Sequence, residues 1–96
     1  MIKDGLYEKA IIHWRKKNGC CFAIIEGKEF CLDEPMTKVW DLIDGIRTIS
    51  EISEIFCKTS TYDKDMAFSF VENSIEILLG NNLVIERGTH EDIMGW

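Results

Sequence analysis

A single proline, two histidines and no apolar run near the ~20 residues that cross a bilayer set the first limits on this chain. Scarce proline beside 46% hydrophobic residues excludes a chain disordered as a whole. The opening segment MIKDGLYEKA lacks the apolar stretch of a secretory signal, so a cytoplasmic protein without a membrane span is expected. Enzyme signatures are missing too. There is no Gly-rich phosphate loop, no G-x-S-x-G and no H-E-x-x-H, and neither His13 nor His90 stands beside a candidate nucleophile. The expectation is a protein that is not an enzyme and has no cofactor. Cys20, Cys21, Cys31 and Cys57 lack C-x-x-C spacing, and neighbouring Cys20 and Cys21 point to opposite faces of a strand, so reduced thiols and no metal site are expected.

Positive charge is short in one part of the chain. Residues 1–32 hold six Lys or Arg against four acids, net +2, whereas residues 33–96 hold five against thirteen, net −8. A DNA reader neutralises phosphates with Lys and Arg on or beside its recognition helix. The segment from Thr48 to Lys58 offers Glu51, Glu54 and one lysine, which disfavours nucleic acid as a partner.

The run LDEPMTKVWDLIDGIRTISEI, Leu32 to Ile52, is dense with helix punctuation. Asp33 or Glu34 can cap a helix whose first turn tolerates Pro35, and Met36, Val39, Trp40 and Ile43 repeat at helical spacing. Gly45 stops that helix. Thr48 and Glu51 then form a T-x-x-E capping box ahead of Ile49, Ile52, Ile55 and Phe56. Helix, short turn, helix is the result.

Strands precede this pair. Tyr7 to Lys16 alternates as one strand, Asn18-Gly19 suits a two-residue turn, and Cys20 to Ile25 reverses at Glu26-Gly27 into Lys28 to Leu32. With two-residue turns, Trp14 faces Ala23, Phe30 faces Ala23 and Leu32 faces Cys21, which gives a core face of Ile12, Trp14, Cys21, Ala23, Ile25, Phe30 and Leu32. The other face carries Ile11, His13, Phe22, Ile24 and Cys31. Lys58 to Tyr62 reads as a loop, and a long helix runs from about Asp63 to Gly80. Its stripe Ala67, Val71, Ile75 and Leu78 suffices for one packing face; Met66, Phe70 and Ile77 form a second stripe beside it. Leu83 to Glu86 extends back over the core. A chain of this length buries more than ~60% of its unfolded surface, enough for one core without staples.

The same residues resemble a known family. Leu32-Asp33-Glu34, the apolar helix from Val39 to Ile43, then Asp44, Gly45, Arg47, Thr48, Ile49, Glu51 and Ile52 resemble the PqqD-like peptide chaperones, or RiPP recognition elements. Val71, Ile75, Leu78, Leu83 and Val84 can fill the apolar positions that the family's third helix carries. The likeness spans Phe22 to Ile85; Asn82 departs from it, standing where a small residue or Gly is usual. The resemblance implies an α+β winged helix-turn-helix, a three-stranded antiparallel β-meander followed by three α-helices, over 1–86, with 87–96 a C-terminal tail.

The function implied is that of a peptide chaperone. It would bind the leader of a ribosomally synthesised precursor peptide by strand addition and present it to a separate modifying enzyme, in such families often a radical-SAM maturase. Joining the family's binding edge to the second helical stripe puts the peptide on Lys28, Phe30, Cys31, Leu32, Met66, Phe70, Asn73 and Ile77. Two alternatives stay open: a winged-helix transcription regulator using Arg15, Lys16 and Lys17, and a non-catalytic structural or inhibitory subunit, including a homodimer.

Overall fold

A computed structural model describes residues 5–10 and 13–88. Its elements in chain order are β1 (Leu6–Lys9), β2 (His13–Lys17), β3 (Cys20–Ile25), β4 (Lys28–Leu32), α1 (Glu34–Leu42), α2 (Ile49–Lys58), α3 (Lys64–Gly80) and β5 (Val84–Gly88). The three-stranded antiparallel sheet β2-β3-β4 followed by three helices makes this an α+β fold, as the sequence led one to expect. Both hairpin turns hold two residues in the left-handed region, Asn18 (φ 54°) with Gly19 (81°) and Glu26 (51°) with Gly27 (78°). That geometry matches strand twist and fixes the register, so Trp14 lies opposite Ala23, Phe30 opposite Ala23, and Leu32 opposite Cys21.

One expected strand is two. Tyr7 to Lys16 does not run as a single strand: β1 leaves the meander and pairs antiparallel with β5, while β2 alone completes the hairpin with β3. Ala10 donates its N–H to the Leu83 carbonyl (3.0 Å), which holds β1 to the segment after α3. Alternation alone could not reveal this, since either half of the segment suits a strand. The expected boundary at 86 falls inside β5, which continues to Gly88. Ile11, Ile12, His90 and Trp96 lie outside the described residues.

Each helix begins where its cap places it. The Asp33 carboxylate accepts from the Met36 N–H (3.1 Å) and Asp63 from Met66 (2.8 Å). Thr48 and Glu51 complete the capping box, Thr48 Oγ1 accepting from the Glu51 N–H (3.2 Å) and Glu51 Oε1 accepting from the Thr48 N–H (2.9 Å). α1 ends at Leu42, three residues before Gly45, so Gly45 shapes the turn and does not stop the helix. α3 ends in a Schellman motif: Leu83 donates to the Leu78 carbonyl (2.9 Å), Asn82 to that of Leu79 (3.1 Å), and Asn82 sits at φ 62°. Asparagine tolerates this conformation best after glycine, which suits Asn82 to this position.

The core joins meander, helices and closing strand. Trp40, Tyr7, Phe56, Ile43, Ile49, Ile52, Ile75 and Leu78 are fully buried, packed with Cys21, Ala23 and Leu32 from the sheet. Burial raises the Cys21 thiol above its ordinary pKa and keeps it protonated. The Thr37 hydroxyl bridges sheet and α1, accepting from the Cys21 N–H (2.9 Å) and donating to the Leu32 carbonyl (3.1 Å). Trp14 corrects the expected core face. It stays 42% exposed because β2 is an edge strand, and its ring meets Trp40 only edge-on, centroids 5.7 Å apart. Lys9 fills the space beside that pair, its ammonium 5.3 Å from the Trp40 ring and 2.7 Å from the Ile43 carbonyl at the end of α1. Burial there lowers the Lys9 pKa, although Asp41 and Asp44 pull it the other way.

Candidate functional site

Among the described residues the meander has two open edges, and the turn at Glu26-Gly27 decides what β4 offers on its side. A two-residue hairpin closes on a hydrogen-bonded pair, here Ile25 and Lys28, and pairs alternate from there. Ala23 with Phe30 is therefore hydrogen-bonded, whereas Ile24 with Glu29 and Phe22 with Cys31 are not. The N–H and C=O groups of Glu29 and Cys31 consequently point away from β3. Among the described residues no strand pairs with that side, since β4 ends the sheet.

The eight expected site residues divide sharply. Lys28 and Cys31 are exposed, Phe30 is half-buried against the core, and Leu32 is 4% exposed with its carbonyl taken by Thr37. Leu32 thus belongs to the core, and neither its side chain nor its carbonyl faces outward. On α3, Met66 (57%) and Ile77 (53%) are exposed, as is Asn73. Phe70 is half-buried. Its ring stacks on Phe56, centroids 5.3 Å apart, and lies 5.4 Å from Tyr62. β4 rests on α1 while α3 packs on α2, α1 and β5, so the two halves of the site meet through the core without packing closely on one another. Glu29 escaped the sequence reading, although the signal was present: a two-residue turn at Glu26-Gly27 already implies that Glu29 and Cys31 carry the outward backbone groups.

The surroundings of this edge are held by charge. On the solvent face of the meander, the Arg15 guanidinium spans from the Phe22 ring (5.9 Å) to the Glu29 carboxylate (4.0 Å). Lys16 is bound to Asp41 at 2.7 Å. Of the three basic hairpin residues, only Lys17 has no partner among the described residues.

In the turn between α1 and α2, Asp44 and Gly45 have structural tasks. Asp44 Oδ1 accepts from the N–H groups of Ile46 and Arg47, both at 2.9 Å, and Oδ2 accepts from the Arg47 guanidinium at 2.9 Å. Burial alone would raise the Asp44 carboxyl, but these backbone donors and the guanidinium together hold it below its ordinary value. Gly45 sits at φ 81° and donates its N–H to the Tyr7 carbonyl (2.8 Å).

Among the described residues no group of three or more His, Cys, Asp or Glu is placed to hold a metal ion, and no helix is long and apolar enough to cross a membrane. A cleft of about 650 Å³ opens between the first turn of α1 and the α2–α3 connection, beyond the end of β4. No family model, curated protein or solved structure matches the chain.

Proposed function

We propose that this protein is a non-catalytic peptide-binding module that takes an extended leader segment along the open edge of β4 and presents it to a separate modifying enzyme. The observation that carries the reading is the outward backbone of Glu29 and Cys31 on a terminal strand. A peptide strand there would gain register from hydrogen bonds that each net about 0.5–1.5 kcal/mol, so selectivity must come from side-chain contacts. Met66 and Ile77 supply exposed apolar surface, and Phe70 anchors that stripe on the aromatic cluster. The resemblance to PqqD-like chaperones, in which a peptide lies on the corresponding strand, supports the same edge. A modifying enzyme of the radical-SAM class is the partner that resemblance favours.

DNA reading draws less support, because positions 33–96, which hold the helix pair, are net −8 and Thr48 to Lys58 offers one lysine beside Glu51 and Glu54. The decisive experiment is amide-shift mapping on the labelled protein while short extended peptides selected for binding are added. Shifts at Glu29 and Cys31, with weaker binding by Ile77→Ser, uphold strand addition. Shifts confined to the Arg15–Lys17 hairpin overturn it.

A further inference from the structure

The cleft between α1 and the α2–α3 connection lies where both halves of the peptide site run out. β4 leads to it from one side, since Glu34 and Pro35, which line it, come almost directly after Leu32. α3 leads to it from the other, since Tyr62, another lining residue, immediately precedes the cap Asp63. The Phe70 ring lies against Tyr62 and Phe56, so the exposed stripe of α3 and the wall of the cleft share one aromatic cluster.

Donors dominate the polar lining. Lys38 and Lys58 line the cleft, two of the five basic residues among thirteen acids in positions 33–96. Glu34 is four residues before Lys38 and is the natural helical partner, yet its carboxylate is turned toward the Asn18-Gly19 turn, with Oε2 3.8 Å from where a Gly19 Cβ would lie. Lys38 accordingly has no ion-pair partner among the described residues. Among the described residues Lys58 pairs with Glu54 alone, at 3.6 Å on the exposed face of α2. Ser60 Oγ accepts from the Tyr62 N–H (3.3 Å), which leaves its own proton to donate, and the Thr61 hydroxyl is uncommitted among the described residues. Pro35 and Tyr62, both half-buried, give the apolar wall that a side-chain stem needs.

We infer that this cleft binds an acidic side chain, an Asp or Glu of the same peptide, just outside the segment paired with β4. The inference rests on the strand-addition reading and adds the chemistry of one recognised residue and the end of the strand at which it lies. The Lys38 ammonium with hydroxyl donors suits a carboxylate, and charge-assisted bonds are the stronger kind.

Short random peptides displayed on phage and selected against the full chain provide the probe. Winners are made as C-terminal amides, which removes the terminal carboxylate as a rival source of charge. Their affinities are measured by fluorescence anisotropy for the natural protein, Lys38→Gln and Lys38→Glu, with amide shifts read in parallel. Selected peptides are expected to shift Glu29 and Cys31 together with Lys38 and Tyr62, and to share an Asp or Glu at a fixed distance from their apolar positions. Lys38→Glu should weaken them about tenfold or more, with Lys38→Gln between, and changing the acidic residue to Lys should restore binding to Lys38→Glu. Peptides that shift Glu29 and Cys31 but carry no shared acid, and bind all three proteins alike, overturn the cleft assignment and leave strand addition standing. A selection that yields nothing, or peptides that leave Glu29 and Cys31 unshifted, overturns both.

Discussion

Between α1 and α2, five residues illustrate how closely side-chain chemistry specifies this fold. Asp44 caps the backbone of Ile46 and Arg47, Gly45 adopts φ 81°, and Thr48 starts α2. Gly45→Val is expected to destabilise by about 1 kcal/mol or more, because a Cβ there is strained by the left-handed backbone and would lie 3.1 Å from Arg87 Nη1 and 3.4 Å from Glu8 Cβ. Thr48→Ala should cost about 0.5–2 kcal/mol through the lost cap. Urea denaturation midpoints measure both; two unchanged midpoints would contradict the geometry of the turn. Asp44 adds a pH dependence of known sign. Its folded pKa lies below the ordinary 3.8, so its contribution to stability is complete above that value and disappears as pH falls through the folded value. Asp44→Asn should therefore lose stability at neutral pH and show a shallower decline below pH 3.8 than the natural chain, read from midpoints at several acidic pH values. The Thr48 cap was legible in the sequence because a capping box uses local chemistry. Asp44 and Gly45 were seen in the pattern, but Gly45 was expected to stop α1, and the bonds of both depend on the folded path of the turn.

Strands tell a different story from helices. All three helices were legible within a residue or two, since each has a cap and a 3.6-residue repeat, whereas Tyr7 to Lys16 read as one strand and is β1 plus β2. Period two is the same in a strand that pairs with β3 and one that pairs with β5, so partner choice was hidden until the segment after α3 was placed. In β4 the register makes a sharp prediction. Cys31→Pro removes an outward donor and should leave the sheet folded while weakening peptide binding several-fold to about tenfold, the worth of one backbone bond. Phe30→Pro removes an inward donor and should unfold the meander. Circular dichroism on both, then anisotropy on the folded one, checks the parity; a folded Phe30→Pro beside an unfolded Cys31→Pro would reverse it. Of the candidate site, the edge and the exposed stripe were legible, but the burial of Leu32 and the half-burial of Phe70 were not, because burial depends on which elements cover a face.

Charge is the property that belongs to the molecule as a whole. The net −8 of positions 33–96 makes the helical part acidic, with Lys38 and Lys58 at the cleft the lysines that α1 and α2 carry. No affinity for duplex DNA is expected at ~150 mM salt, where counterion release by so few cations is small. An electrophoretic shift specific for one duplex sequence would overturn that expectation. Closure of the fold lies at the opposite end of its anatomy. β1 pairs Lys9 with Val84 and Tyr7 with Glu86, and the Tyr7 carbonyl in turn holds the Gly45 N–H. The two hairpins and three helices draw on contacts near in sequence and can form early, but this latch joins the two ends of the described chain. During synthesis on a ribosome, then, β1, whose Tyr7 carbonyl holds the Gly45 N–H, gains its partner β5 only after α3 has been made. Hydrogen exchange at Gly45 should report that latch, fast in a chain ending at Asn82 and slow in the whole one.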